Sequence, residues 1–358
     1  MSVKRVERVD LHIGPPKSGT TFLQNVLFAN KSQLLSDGVV LPRQDPRGMW
    51  RSVSHLLHRD PSSGQPREQW DRLVSDVKSA RARRVLLSVE QLSFAGPGAV
   101  AALLGSFPSA EVHVSYTARD LALVLPGSWQ TRLRNRKSPT WQEFLASVRE
   151  PVPKSYGANF WRAQDPELAL APWRRHIPAE RIHLVTVPPP GSPPALLWER
   201  FCSVVGLQPD RYSLDVPRSN QSLGGVEAEV IRRLTAQVAD ELSPLVYDDL
   251  VKVFVAREVL ERRTQSFKMV LPEREHEWLD PRAAQIVGRL GEAGYPLVGD
   301  LADLAPVHRP GRAPDDVSEA EVAAVQGELL AAMVREMARR NEGEPWRGAR
   351  VGDGAGRD

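Results

Sequence analysis

Eight residues near the start of the chain constrain it most: Gly14-Pro15-Pro16-Lys17-Ser18-Gly19-Thr20-Thr21. An apolar run, Val6–Ile13, precedes them, and a helical pattern, Thr20–Leu35, follows. A strand that turns through glycine into a helix aims backbone N–H groups and a helix N-terminus at one spot, which suits an anion. Gly19 supplies backbone angles closed to other residues. Lys17 adds a mobile cation, and Thr20 and Thr21 add hydroxyl donors at the first helical turn. A turn that merely caps a helix is the plainer alternative. A lysine with two prolines before it and Ser-Gly-Thr-Thr after it is more tailored than a cap requires.

Gly14 and Gly19 match the glycines of the pattern G-x-x-x-x-G-K-[ST], but Thr20 stands where that pattern has lysine. The lysine has moved into the loop, to Lys17. A magnesium–ATP enzyme also needs an acid at a strand end to hold its metal. Glu90 is the only acid at the end of a core strand, apart from Asp120 beside Arg119. The loop therefore reads as a phosphate cradle, and the kinase or ATPase reading weakens.

Four runs rich in β-branched residues read as strands: Val6–Ile13, Arg84–Val89, Val112–Thr117 and Arg181–Val187. Each is almost continuously apolar, as parallel strands buried on both faces are. Helical patterns lie between them at 20–35, 67–81, 98–107, 139–149 and 167–177. The alternation predicts a three-layer α/β/α fold with a parallel, doubly wound sheet and right-handed crossovers. Beyond the proline-rich stretch Pro188–Pro194, the patterns at 195–205, 224–242, 244–263, 276–290 and 318–340 all read as helices. The expected division is an α/β domain over 1–306, helical from about residue 195, then a linker and final helix over 307–340. Residues 341–358, rich in Gly and Arg, read as a disordered tail.

The 358 residues suffice for one large or two ordinary domains, and 41% hydrophobic residues can form a substantial core. A net charge of +3, with no Lys/Arg block interleaved with aromatics, argues against nucleic acid as a partner. No apolar stretch reaches the roughly 18 residues of a membrane span, and the N-terminus lacks an apolar signal core, so the expected compartment is the cytoplasm. The single cysteine, Cys202, sits in an apolar helical run and reads as an inert buried thiol.

In an open α/β sheet, ligands sit outside the carboxyl ends of the strands. The third expected strand ends at Ala118-Arg119-Asp120, so Arg119 faces the same edge as the loop and its guanidinium can grip a phosphate bidentately. It can equally pair with Asp120 or another acid. The second expected strand runs into Glu90, placed to act as a base or, more plainly, to cap or to pair with a basic neighbour. His55 and His58 have metal-compatible spacing but no accompanying ligands, and read as a helix-surface pair. His113 and His183 lie inside strands and read as structural. Arg134, Arg136 and Lys137 read as a solvated basic turn. Trp161 and Asp165 read as packing and capping residues.

The segments PKSGTTFLQ, SVEQL, TARDLALVLPGSWQ, FWRAQDP, HLVTVPPPGSPPALLWERF, RSNQSLG and GYPLVGDLADL, spread from Val9 to about Leu304, resemble the sulfotransferase superfamily, most closely its actinobacterial members. That family has a P-loop-like nucleotide-binding fold, and its donor is 3′-phosphoadenosine-5′-phosphosulfate (PAPS). The resemblance implies that Lys17, Ser18, Gly19, Thr20 and Thr21 bind the phosphosulfate. Phe22 falls where many members stack an aromatic on adenine, although it also suits a core position. By the same resemblance, Arg119 and a serine two helical turns later hold the 3′-phosphate. The family's serine position is Gly127 here, with Ser128 one residue on; a bulge near Pro126 and Gly127 restores the hydroxyl, or the contact is weakened. Arg218, in a late basic loop, would also reach the nucleotide. Glu90 would be the base toward a hydroxyl or amine of a carbohydrate or other small acceptor, and Lys17 would stabilise the leaving nucleotide. Members often have Ser-His-Glu there, whereas this chain has Val89 in the middle. The scheme needs no metal. A nucleotide kinase, and a non-catalytic descendant that binds the product 3′-phosphoadenosine 5′-phosphate (PAP), are the rival readings.

Overall fold

The computed structural model describes residues 6–57, 68–80, 83–216 and 223–342. Six strands, β1 (Arg8–His12), β2 (Val39–Val40), β3 (Arg84–Ser88), β4 (Glu111–Ala118), β5 (Ile182–Thr186) and β6 (Leu297–Val298), form one sheet in the order β2-β3-β1-β4-β5-β6. Every pairing is parallel. Helices flank the sheet, so the expected α/β fold is the one observed.

The sequence explains the position of β1 at the centre. Val9, Leu11 and Ile13 are wholly buried, and so, nearly, are the intervening Asp10 and His12. Burial on both faces is what a strand inside a parallel sheet covered by helices shows, and β1 has β3 on one edge and β4 on the other. After β1 the chain builds β2 and β3 to one side, then crosses to build β4, β5 and β6 on the other. The reversal point is the carboxyl end of β1, where open α/β sheets form their ligand crevice.

The chain divides into two compact units. The first takes Met1–Val124, Val148–Ser219 and Glu277–Val307 and contains the sheet. The second takes Leu125–Ser147, Asn220–His276 and His308–Asp358 and is helical among its described residues. Its core includes Trp129, Trp141, Phe144 and Tyr247, all fully buried. The Tyr247 hydroxyl meets Thr235 Oγ1 at 2.8 Å and donates to Leu133 O at 3.2 Å. Glu227, 1% exposed, is held by Arg263 and Ser266, each at 2.9 Å.

Several expected elements differ in detail. The pattern 20–35 is two helices, Thr20–Ala29 (α1) and Lys31–Ser36, parted at Asn30, whose side-chain amide donates to Val26 O. The pattern 244–263 opens as one α-turn, Pro244–Tyr247, and continues as a π-helix, Asp248–Val259. The expected solvated turn at 134–137 is corrected: Arg134 pairs with Glu261 at 2.5 Å, and Arg136 donates to the carbonyls of Ala239 and Leu242 beyond the helix Gly225–Val238. Those carbonyls have no partner within the helix and attract a cation. Within the stretch Val307–Asp316, read as a linker, Val270 N–H donates to Arg312 O at 3.1 Å, and the Arg312 guanidinium lies 4.0 Å from the Phe267 ring. Among the described residues no helix is long and apolar enough to cross a membrane.

Candidate functional site

Three adjacent strands end on one edge of the sheet, and each delivers a different group there. β1 runs into the loop Gly14–Thr21, β3 into Val89-Glu90, and β4 into Arg119. Register fixes this, since His12 lies opposite Ser88 on one side and Ser115 on the other.

The loop backbone leaves little freedom. A Cβ on Gly14 would fall 1.8 Å from Thr117 Oγ1 and 2.9 Å from His12 Nε2, so only glycine fits. Gly19 is left-handed, at φ +81°, and a Cβ there would reach within 2.4 Å of Leu197 Cδ2. Lys17 is left-handed too, at φ +73°, a conformation that costs a non-glycine residue on the order of 1 kcal/mol. The surroundings hold it in place. Arg119 Nη1 donates to Lys17 O at 2.9 Å, and Gln164 Nε2 donates to Pro16 O at 2.8 Å.

The helix that follows begins with an unfilled demand. Its first ladder bond is Leu23 N–H to Gly19 O at 3.2 Å, so the amides of Thr20, Thr21 and Phe22 lie outside the helix's own ladder. Gly19 is the N-cap residue and has no side chain with which to serve them. This is the positive end of the helix dipole, and Lys17 stands in the same loop. The donors collected here suit a phosphate or sulfate group.

Thr20 Oγ1 donates to Glu90 Oε2 at 2.7 Å, which joins the loop to the strand end expected to carry the base. Thr20 is buried, and Glu90 is half-buried at the start of a 3₁₀ turn, Glu90–Phe94, closed by Ser93 Oγ donating to Glu90 O. Val89 packs in the core. Lys17, Gly19, Thr21, Phe22 and Arg119 are each half-buried. Ser18 is fully buried and its hydroxyl is turned inward, donating to Pro15 O at 2.7 Å. Ser128 is buried on the helix Leu121–Arg134, which continues through Pro126 and Gly127 without a break. Asp120 Oδ1 accepts from Ala122 N–H at 2.7 Å at the start of that helix. Arg218 lies outside the described residues, as does His58.

His55 is exposed on the helix Pro46–Leu57. His113 and His183 stack across β4 and β5 at 5.4 Å between ring centroids, with His113 Nε2 at 2.6 Å from Glu111. Asp165 caps the helix Pro166–Arg174 by accepting from Glu167 N–H, and Trp161 is buried with its indole N–H donating to Val148 O. Burial pushes the Cys202 thiol up to about 12, which leaves it inert.

The sequence reading missed a layer beneath the loop. His12 and Ser88 end β1 and β3, Thr117 is the last residue but one of β4, and all three are buried. His12 Nδ1 lies 2.8 Å from Ser88 Oγ, and His12 Nε2 lies 3.4 Å from Thr117 Oγ1. Thr117 Oγ1 lies 2.6 Å from Ser18 Oγ. Burial pushes the imidazole down to about 3, so His12 is neutral at neutral pH. The signal available in the sequence was a polar residue near the carboxyl end of each of three apolar strands.

No family model matches the chain, and no curated protein matches it. Among solved structures, a sulfotransferase from Alicyclobacillus acidocaldarius is similar at 14% identity and a TM-score of 0.42, over 72% of this chain and 94% of that one.

Proposed function

We propose that this protein is a sulfotransferase that moves a sulfuryl group from PAPS to a hydroxyl or amine of a carbohydrate or other small acceptor. The observation that carries the reading is the meeting of three groups at the carboxyl edge of β1, β3 and β4: the glycine-shaped loop, Glu90 hydrogen-bonded to Thr20, and Arg119 braced on Lys17. The donor set of first-turn amides, Lys17 and Thr21 fits the 5′-phosphosulfate. Arg119 serves the 3′-phosphate, and Phe22 flanks the adenine.

The acceptor oxygen or nitrogen attacks sulfur while the bond from sulfur to the bridging phosphate oxygen breaks. Glu90 takes the acceptor's proton. Lys17 stabilises the negative charge that grows on the bridging oxygen as PAP leaves. Group transfer of this kind is mostly positioning and electrostatics. No lysine follows Gly19, which argues against a kinase of the same fold.

Two measurements test the reading together. PAP without metal should raise the melting temperature, and magnesium–ATP should raise it less. Radiolabelled PAPS should pass its label to acceptors in a panel of sugars, phenols and amines, and Glu90→Gln should cut that turnover about a hundredfold while PAP still binds. Stabilisation by magnesium–ATP alone would support the kinase. PAP binding with no transfer to any acceptor would support a non-catalytic descendant.

A further inference from the structure

We infer that His12 is a positioning residue for the anion-binding loop, acting as a neutral imidazole whose Nε2–H fixes the hydroxyls of Thr117 and Ser18 beneath it. The inference rests on the loop assignment made above.

Counting hydrogens determines the order of the relay. The carbonyl of Pro15 can only accept, so Ser18 spends its single hydroxyl hydrogen there. Ser18 Oγ must then accept from Thr117, 2.6 Å away. That uses the threonine's hydrogen, so Thr117 Oγ1 must accept in turn from His12 Nε2. With its proton on Nε2, the ring presents a bare Nδ1, and Ser88 Oγ donates to it at 2.8 Å. The chain of donation runs one way, from Ser88 through His12 and Thr117 to Ser18 and the loop carbonyl. An imidazolium would carry a second ring proton toward Ser88 and break the order. Its charge would also be buried among the hydroxyls of Ser88 and Thr117 and the Phe201 ring.

The relay has a mechanical consequence. Ser18 sits between the two left-handed residues, Lys17 and Gly19. Fixing its side chain from below fixes the turn that presents Lys17 and the first amides of α1. The contact from His12 to Thr117, at 3.4 Å, is the longest link, and Gly14 exists in part to make room for it.

A pair of amide substitutions separates positioning from filling. The glutamine nitrogen reaches the place of Nε2, whereas the asparagine nitrogen reaches only that of Nδ1. In the full chain, His12→Asn should weaken PAP binding about tenfold by calorimetry, Thr117→Val should match it, and His12→Gln should stay within about threefold of wild type. Without any ligand, the Ser18 and Gly19 amide resonances should move in His12→Asn and remain near wild type in His12→Gln. Ring-nitrogen shifts in the wild type should show His12 neutral with its proton on Nε2. A proton on Nδ1, or equal effects of the two amide variants on the loop resonances, would overturn the inference. If the wild type fails to bind PAP at all, the sulfotransferase reading falls, while the tautomer and the loop resonances still decide the role of His12.

Discussion

The two ends of the same three strands solve the burial of polar groups in opposite ways. At the amino edge, Asp10 on β1 is 2% exposed and takes two guanidinium partners, Arg8 at 2.7 Å and Arg84 at 2.8 Å. The buried carboxylate there is paired on the spot. At the carboxyl edge, His12, Ser88, Thr117 and Ser18 are equally buried but neutral, and they satisfy one another with hydrogen bonds alone. The cations, Lys17 and Arg119, stand in the layer above. A neutral foundation adds no negative charge beneath the loop, which suits an anion site. The contrast separates an ion-paired edge from the edge proposed to bind the donor.

Removing a charge at the amino edge should have the largest effect on stability. Asp10→Ala leaves two arginines facing a buried gap. Those side chains keep 31% and 20% exposure, so the cost falls toward the lower end for a broken buried pair, about 2–3 kcal/mol in denaturant unfolding. PAP affinity should be unchanged, and a loss of binding would collapse the distinction between the edges.

Acid should act at the other end. The folded state holds the His12 imidazole at about 3, well below the 6.5 of an unfolded histidine, so the unfolded chain binds the extra proton across that interval. The stability is fully present above pH 6.5 and drains as pH falls toward 3, by up to roughly 1.4 kcal/mol per pH unit from this group. His12→Gln should flatten the wild-type stability–pH curve in that window. An unchanged slope would mean that His12 titrates normally.

The smallest effect belongs to the rim of the amino edge. Glu7 pairs with Arg83 at 2.7 Å in full contact with solvent. Glu7→Gln should leave the denaturation midpoint unaltered, because exposed pairs are screened. A clear shift would show that the cluster around Asp10 extends to the surface.

The sequence made the four long strands visible because burial on both faces writes a continuous apolar run. It could not show β2 and β6, two residues each, which carry no periodicity. The loop was visible because glycine spacing and a displaced lysine are local features. The layer beneath was not, because His12 meets partners 76 and 105 residues away, and each reads alone as a polar interruption in a strand. Glu90 and Arg119 were visible as strand ends, but their bonds to Thr20 and Lys17 O exist only after the sheet has brought the ends together. Arg134 and Arg136 were misread for the converse reason: a basic run looks solvated until a half-buried acid and the carbonyls beyond a helix end meet it.

Calorimetric titration of PAP into the wild type and Lys17→Ala tests the loop as an anion site most directly. The expected result is binding in the micromolar range, weakened at least about tenfold by the substitution, or roughly 1.4 kcal/mol. Equal affinities in the two proteins would contradict it.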